Sequence, residues 1–127
     1  VNNPFPEPLH FDNAGMIAGR RHVILTADFP CVTSLGRITV PRHTLIDGAS
    51  IPQIAFSLIG HPFDAFLEDC VLHDFLYSKA NREYTRSEAD HLLRETMWNR
   101  EIPRWKIAAI WSAVRIGGWR SFKGQPQ

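Results

Sequence analysis

The period of the hydrophobic pattern changes about a third of the way along the chain. The segment "RHVILTADFPCVTSLGRITVPRH" (residues 21–43) is rich in β-branched residues and is broken at Phe29-Pro30, Ser34-Leu35-Gly36 and Pro41. That pattern predicts two or three short strands in a small antiparallel sheet or hairpins. Asp47-Gly48 then marks a turn, and Ser50 with Gln53 three residues on and Pro52 between them has the spacing of a capping box. A short helix is expected to follow and to stop near Gly60. Beyond Pro62, Phe66, Cys70, His73, Asp74 and Tyr77 recur at intervals of three and four, which places them on one face of a helix over roughly 63–80.

Thr85 and Glu88 form a second capping box, "TRSE", and open a helix over 86–99 whose apolar stripe is Ala89, Leu92, Leu93 and Met97. A last helix starts at "IPRWK", with Pro103 in its first turn, and ends at Gly117-Gly118. The first ten residues, "VNNPFPEPLH", hold three prolines and form an extended arm rather than a helix or central strand. The expected fold is therefore α+β: strands in the N-terminal third, then about four helices, including an antiparallel pair at 63–80 and 86–99.

At 127 residues the chain is the size of one domain, 1–127, large enough to bury a core without disulfide or metal staples. Fourteen basic residues against thirteen acidic ones give a net charge of +1, so there is no general pull toward nucleic acid. The C-terminal stretch from Arg100 is nevertheless basic and interleaved with Trp105, Trp111, Trp119 and Phe122. Its ordinary reading is a solvated helix face with tryptophans on the core side; the alternative is a contact with a phosphate-bearing surface. Cys31 and Cys70 are far apart and in no C-x-x-C spacing, which excludes a zinc-finger or redox framework; a disulfide between them is possible but not implied.

The chemistry-bearing residues cluster in the helix pair. A short connection over residues 81–84 brings the end of one helix against the start of the next, so His73 and Asp90 can meet. A carboxylate on one ring nitrogen fixes the tautomer and stabilises the imidazolium, leaving the other nitrogen to take a proton from water. Tyr77, one turn on, can give its hydroxyl to the same carboxylate, while Asp74 points elsewhere as a hard oxygen ligand for a cation. Asp47 is a further possible ligand, although Asp-Gly before a helix is mostly turn chemistry. Ser50 is accounted for by its capping position, and no G-x-S-x-G surrounds it. Arg86, in a first helical turn against the macrodipole, is expected to be held by a carboxylate such as Asp74 or Asp47.

"CVLHDFLY" followed by "EAD" resembles the catalytic helix pair of the secreted phospholipase A2 superfamily, and "HDFLYS" with "YTRSEADHLL" is similar to its parvovirus branch. The resemblance implies His73 as general base, Asp74 as ligand of a calcium ion, Asp90 as orienting carboxylate and Tyr77 as its support. The nearest counterpart of that superfamily's glycine-rich calcium loop is Asp47-Gly48-Ala49. Over a longer stretch, D-G-A-S-I-P (47–52), L-H-D-F-L-Y (72–77) and R-x-x-A-D (86–90), followed by an aromatic helix ending in glycine, resemble a phage and prophage family named domain of unknown function 1353. That resemblance implies a viral or prophage setting and no particular activity.

Two expectations follow. One is a small hydrolase whose His73–Asp90 dyad activates water, aided by Ca2+ at Asp74 and Asp47, acting on a lipid or cell-envelope ester. The other is a non-enzymatic virion, tail or host-interaction component, with other phage proteins as partners, in which the same side chains form a structural polar network.

Overall fold

Alternation of apolar and polar residues builds the N-terminal part of the fold. The computed structural model describes residues 3–17, 20–47, 50, 51, 55 and 66–125. Within them β1 (Phe11–Ile17), β2 (Arg20–Leu25) and β5 (Leu45–Ile46) form a three-stranded antiparallel sheet in the order β1-β2-β5. β3 (Phe29–Thr33) and β4 (Gly36–Val40) form a separate two-stranded hairpin. In β4, Ile38 and Val40 are buried while Arg37 and Thr39 face solvent, the period of two expected of a one-sided sheet. The hairpin turns at Ser34-Leu35 with Gly36 at φ +107°, a conformation that favours glycine. Ser34 N donates to Glu95 Oε2 at 2.9 Å, which ties this turn to the helical part.

Three strands, β2, β3 and β4, occupy the stretch where two or three were expected; among the described residues β1 and β5 lie outside it, and β1 is the main addition. Its sequence, FDNAGMI, lacks a buried face: Phe11 is 37% and Met16 68% exposed, and the register slips between Asn13 and Gly15. An edge strand paired through its backbone leaves little trace in the hydrophobic pattern. The proline-rich arm is docked on the hairpin. Pro4 is buried, its carbonyl accepts a bond from Val32 N at 2.8 Å, and Phe5 stacks on Phe29 at 5.3 Å.

Three α-helices follow among the described residues: α1 (Leu67–Tyr77), α2 (Arg86–Asn99) and α3 (Arg104–Gly117), the last running into a 3-10 turn at Gly118–Arg120. The short helix expected after Ser50, with Gln53 and Pro52 of its capping box, and residues 63–65 of the helix expected over 63–80, lie outside the described residues. α1 also ends three residues earlier than expected, because Ser78 leaves the helix in an extended conformation. α2 has the expected bounds. Thr85 Oγ1 accepts from Glu88 N at 3.1 Å and Glu88 Oε1 accepts from Thr85 N at 2.9 Å, satisfying two otherwise orphaned donors.

His73 meets Asp90 while Asp69, a turn earlier, meets Arg100 beyond the end of α2, so α1 and α2 run antiparallel. The loop between them is built around buried Asn81, which donates to Leu76 O and Tyr84 O, both at 2.7 Å, and accepts from Glu83 N and Tyr84 N at 3.0 and 2.9 Å. α1 and α2 separate two apolar clusters. On one side Val71, Leu72, Leu76, Ala89 and Leu92 pack under the strands. On the other, Cys70, Leu93 and Met97 pack against Ile107, Ile110 and Val114 of α3. Cys31 and Cys70 are both free and buried, and burial, then the charge of Asp69, pushes the Cys31 thiol up to about 12.

Candidate functional site

The site lies where α1, α2, the end of α3 and the loop after β5 converge. The helical spacing of α1 sends His73 and Tyr77 inward toward α2 and leaves half-buried Asp74 facing the loop. His73 is 1% exposed, and its Nε2 donates to Asp90 Oδ1 at 2.7 Å. Tyr77 donates its hydroxyl to the same oxygen at 2.6 Å. The other oxygen, Oδ2, accepts from Arg115 Nη1 at 2.7 Å.

Asp90 is fully buried and still ionises readily. Burial alone would raise its pKa, but the bonds from His73 first, then Tyr77 and Arg115, bring it below the usual carboxylate value. An ionised Asp90 only accepts hydrogen bonds, so the ring proton sits on Nε2 and, in the neutral imidazole, Nδ1 is the basic nitrogen. The Tyr77 phenol is pushed well above its ordinary value, by burial and then by Asp90 beside it, which keeps it a donor.

The basic nitrogen does not face open solvent. Ser50 Oγ lies 2.8 Å from His73 Nδ1, in the place that a water would need. This corrects the expectation of a free ring nitrogen, and it brings in a residue whose role sequence reasoning missed. The Ser50 hydroxyl has one proton and two acceptors within reach, Nδ1 of the neutral imidazole and Asp74 Oδ1, toward which it is turned in this structure. Asp90, His73, Ser50 and Asp74 therefore form one continuous polar chain. Residues 52–54, where the helix that Ser50 was expected to cap would begin, lie outside the described residues, and what the structure does show of this hydroxyl is its contact with His73 and Asp74.

Arg86 is likewise placed differently from expectation. Its carboxylate is Asp90, at 3.6 Å, and its guanidinium donates to Val114 O at 2.9 Å and Arg115 O at 3.3 Å. It thus reaches two carbonyls in the last turns of α3, of which Val114 O also accepts from Gly118 N. Arg115 was missed altogether. A signal for it exists, because it is the only charge in the run 107–119 and a lone cation on a half-buried helix needs a counterion.

Ser50 and Asp74 open onto a cleft of about 190 Å³, whose walls include His22, Asp47, Tyr77 and, from the C-terminal tail, Lys123. Tyr77 O accepts from Lys123 N at 2.6 Å and Asn81 O from Gln125 N at 3.0 Å, so the tail is fastened across the end of α1 as one wall. Asp47 shares this cleft with Asp74, with Oδ2 3.8 Å from His22 Nε2. Asp74 Oδ2 accepts from Asp47 N at 3.3 Å, and Oδ1 accepts from Ser50 N at 3.3 Å and from the Ser50 hydroxyl, so part of the acceptor capacity of this carboxylate is taken by hydrogen donors. No group of three His, Cys, Asp or Glu able to hold a metal ion is gathered among the described residues.

A second buried carboxylate, Asp69, lies a turn earlier on α1. It pairs with Arg100, yet its Oδ1 has no hydrogen-bond partner among the described residues, and burial raises its pKa to about 6 against the pull of Arg100 and Thr96. It was not singled out in the sequence, because one aspartate in the first turn of a helix is unremarkable.

No solved structure matches this chain. "Uncharacterized protein y4jT" of Sinorhizobium fredii (strain NBRC 101917 / NGR234) is 38% identical over 80 residues, which cover 62% of this chain but 23% of that protein. The chain thus spans less than a quarter of that relative's length. The family model described as "Protein of unknown function (DUF1353)" matches residues 23–114, a stretch that contains Ser50, His73, Asp74, Tyr77 and Asp90, and the chain belongs to that family.

Proposed function

We propose that the chain is a small ester hydrolase in which Asp90, His73 and Ser50 act as a proton relay and Ser50 is the nucleophile. The observation that carries this reading is Ser50, a 3% exposed residue lining the cleft, with its Oγ 2.8 Å from a His73 Nδ1 whose opposite nitrogen is held by Asp90 at 2.7 Å. Once the Ser50 proton turns from Asp74 Oδ1 to Nδ1, these become the two bonds, nucleophile to base and base to orienting carboxylate, that a serine hydrolase requires. As Ser50 Oγ attacks the carbonyl carbon of an ester, its proton passes to Nδ1, and Asp90 stabilises the imidazolium. The imidazolium then gives that proton to the departing alcohol, leaving an acyl-Ser50 that water hydrolyses by the same route. Tyr77 and Arg115 hold Asp90 in place throughout, and Asp74 orients the resting hydroxyl.

In this scheme Ser50 takes the part that the phospholipase-like reading gives to a water molecule, and no step is drawn through calcium. A lipid or cell-envelope ester remains the substrate class in keeping with a viral or prophage setting. The test is labelling by a fluorophosphonate probe together with hydrolysis of p-nitrophenyl esters. Wild type should label and turn over, and Ser50→Ala should lose labelling and at least about 10³-fold in rate while staying folded.

The near-complete burial of the imidazole, 1% exposed, favours a second reading. In it the same network fixes helix packing in a non-enzymatic virion or tail component. That reading expects no labelling of wild type, and loss of folding in both His73→Ala and Asp90→Ala.

A further inference from the structure

α3 has two apolar faces, and only one of them is used. Ile107, Ile110 and Val114 face the core. On the opposite side Trp105, Ala108, Ser112, Ile116 and Trp119 recur at spacings of three and four, a stripe spanning roughly 20 Å along the axis. No described element covers it: Trp105 is 59%, Ile116 78% and Trp119 60% exposed. The expectation that the tryptophans form the core side of this helix is thereby corrected, since aliphatic residues fill that side and the indoles point out. Trp111 is half-buried beneath Arg94, 4.8 Å from its ring.

Cations flank the stripe. Lys106 Nζ lies 5.6 Å from the centre of Trp105, Arg120 Cζ 5.0 Å from Trp119, and Arg104 Cζ 4.5 Å from the neighbouring Trp98. After Glu101 the sequence has no acidic residue, while Arg104, Lys106, Arg115, Arg120 and Lys123 are all basic. Among the described residues only Arg115 of these is engaged by a buried carboxylate. An apolar stripe with tryptophans near both ends and cations along its margins has the chemistry of a helix lying at a lipid–water interface.

We propose that the outward face of α3 docks on an anionic phospholipid surface, with the helix in the plane of the headgroups, Ile116 toward the acyl chains and Arg104, Lys106 and Arg120 toward the phosphates. Among the described residues no helix is long and apolar enough to cross a membrane, so the contact is peripheral. Two competing occupants fit less well. A second copy placed on this face by a two-fold axis would set the same cations against each other. Single-stranded nucleic acid would stack its bases on indole faces that Arg104, Lys106 and Arg120 already cover, and would leave Ile116 unused. The proposal is independent of the role of Ser50.

The experiment is co-sedimentation of the full chain with phosphatidylcholine vesicles containing or lacking phosphatidylglycerol, read together with tryptophan emission. Wild type should bind the anionic vesicles with a blue shift, lose binding as salt rises, and leave pure phosphatidylcholine vesicles largely unbound. Ile116→Glu should weaken binding at least about tenfold, and the double variant Lys106→Gln/Arg120→Gln roughly 25-fold, fivefold per cation removed. Ile116 and Arg120 are exposed and Lys106 is half-buried, and unchanged circular dichroism melting would confirm intact folds. The proposal is overturned by wild type that ignores anionic vesicles, or by Ile116→Glu binding them as well as wild type does. It is also overturned if the exposed face instead supports a dimer that Ile116→Glu dissociates, or an oligonucleotide complex, with no vesicle binding in either case.

Discussion

Asp90→Asn is the sharpest perturbation of the buried cluster, because it keeps the shape and removes one charge. The native carboxylate is fully buried and receives His73, Tyr77 and Arg115 at 2.6–2.7 Å, with Arg86 at 3.6 Å. An asparagine can keep its oxygen toward His73 and Tyr77, but its amide then points N–H groups at the N–H groups of Arg115. One charge-assisted bond is lost, worth about 1.5–3 kcal/mol, and two guanidinium groups lose their counterion. Removing one partner of a fully buried ion pair costs about 3–5 kcal/mol, but Arg86 and Arg115 are 21% and 32% exposed, so water screens part of that cost. The expected loss at pH 7 is about 3 kcal/mol. Urea unfolding followed by circular dichroism should show it as a midpoint lowered by about 2 M for a slope near 1.5 kcal/mol/M. Because the folded-state pKa of Asp90 is depressed, its contribution is complete above the unfolded value and disappears as pH falls through the folded one. The gap between wild type and Asp90→Asn should therefore close as the pH falls below about 4. A loss under about 1 kcal/mol at pH 7, or a gap that widens on acidification, would refute this account of the cluster.

Two further substitutions test neighbouring parts of the site. A Cβ on Gly118 would lie 2.7 Å from Tyr77 Oη and 3.2 Å from its ring, so Gly118→Ala must push the hydroxyl from Asp90 and should cost about 1–3 kcal/mol. In a Tyr77→Phe background, where the closer clash is absent, that cost should fall by at least half in thermal unfolding; strict additivity would show that the two residues do not press on each other. Asp69 works in the opposite sense to Asp90: its pKa is raised from 3.8 to about 6, so ionisation penalises the folded state by roughly 3 kcal/mol once the pH exceeds both values. Wild type should lose that amount relative to Asp69→Asn between pH 3 and pH 7, and a difference in unfolding free energy that stays constant with pH would contradict it.

What was legible in the sequence depended on whether a feature is local. The bounds of α2 follow from the reciprocal bonds of Thr85 and Glu88, three residues apart, and the facing of His73, Tyr77 and Asp90 follows from helical spacing plus a short loop. Ser50 and Arg115 escaped because each meets its partners across 23 or more residues, through the packing of a loop and a third helix that no periodicity encodes. A serine beside a proline and an Asp-Gly turn carries an adequate local explanation, and that explanation concealed a tertiary one. β1 escaped for the converse reason, since an edge strand bonded through its backbone is not required to alternate.

The case of α3 is different again, because its sequence was readable but ambiguous. Ile107, Ile110 and Val114 have helical spacing, and so do Trp105, Ile116 and Trp119; amphipathic periodicity does not say which of two apolar stripes turns inward. Packing decides it. Branched aliphatic residues interlock closely with Leu93 and Met97, whereas the two bulky indoles of the other stripe at that seam would hold α3 away from α2 and break the bond from Arg115 to Asp90. The same constraint that turns the tryptophans outward thus keeps the buried carboxylate paired. The exposed stripe and the polar relay are consequently two results of one choice of helix face. A substitution that moves the aliphatic seam, such as Ile110→Trp, should disturb the surface and the site together.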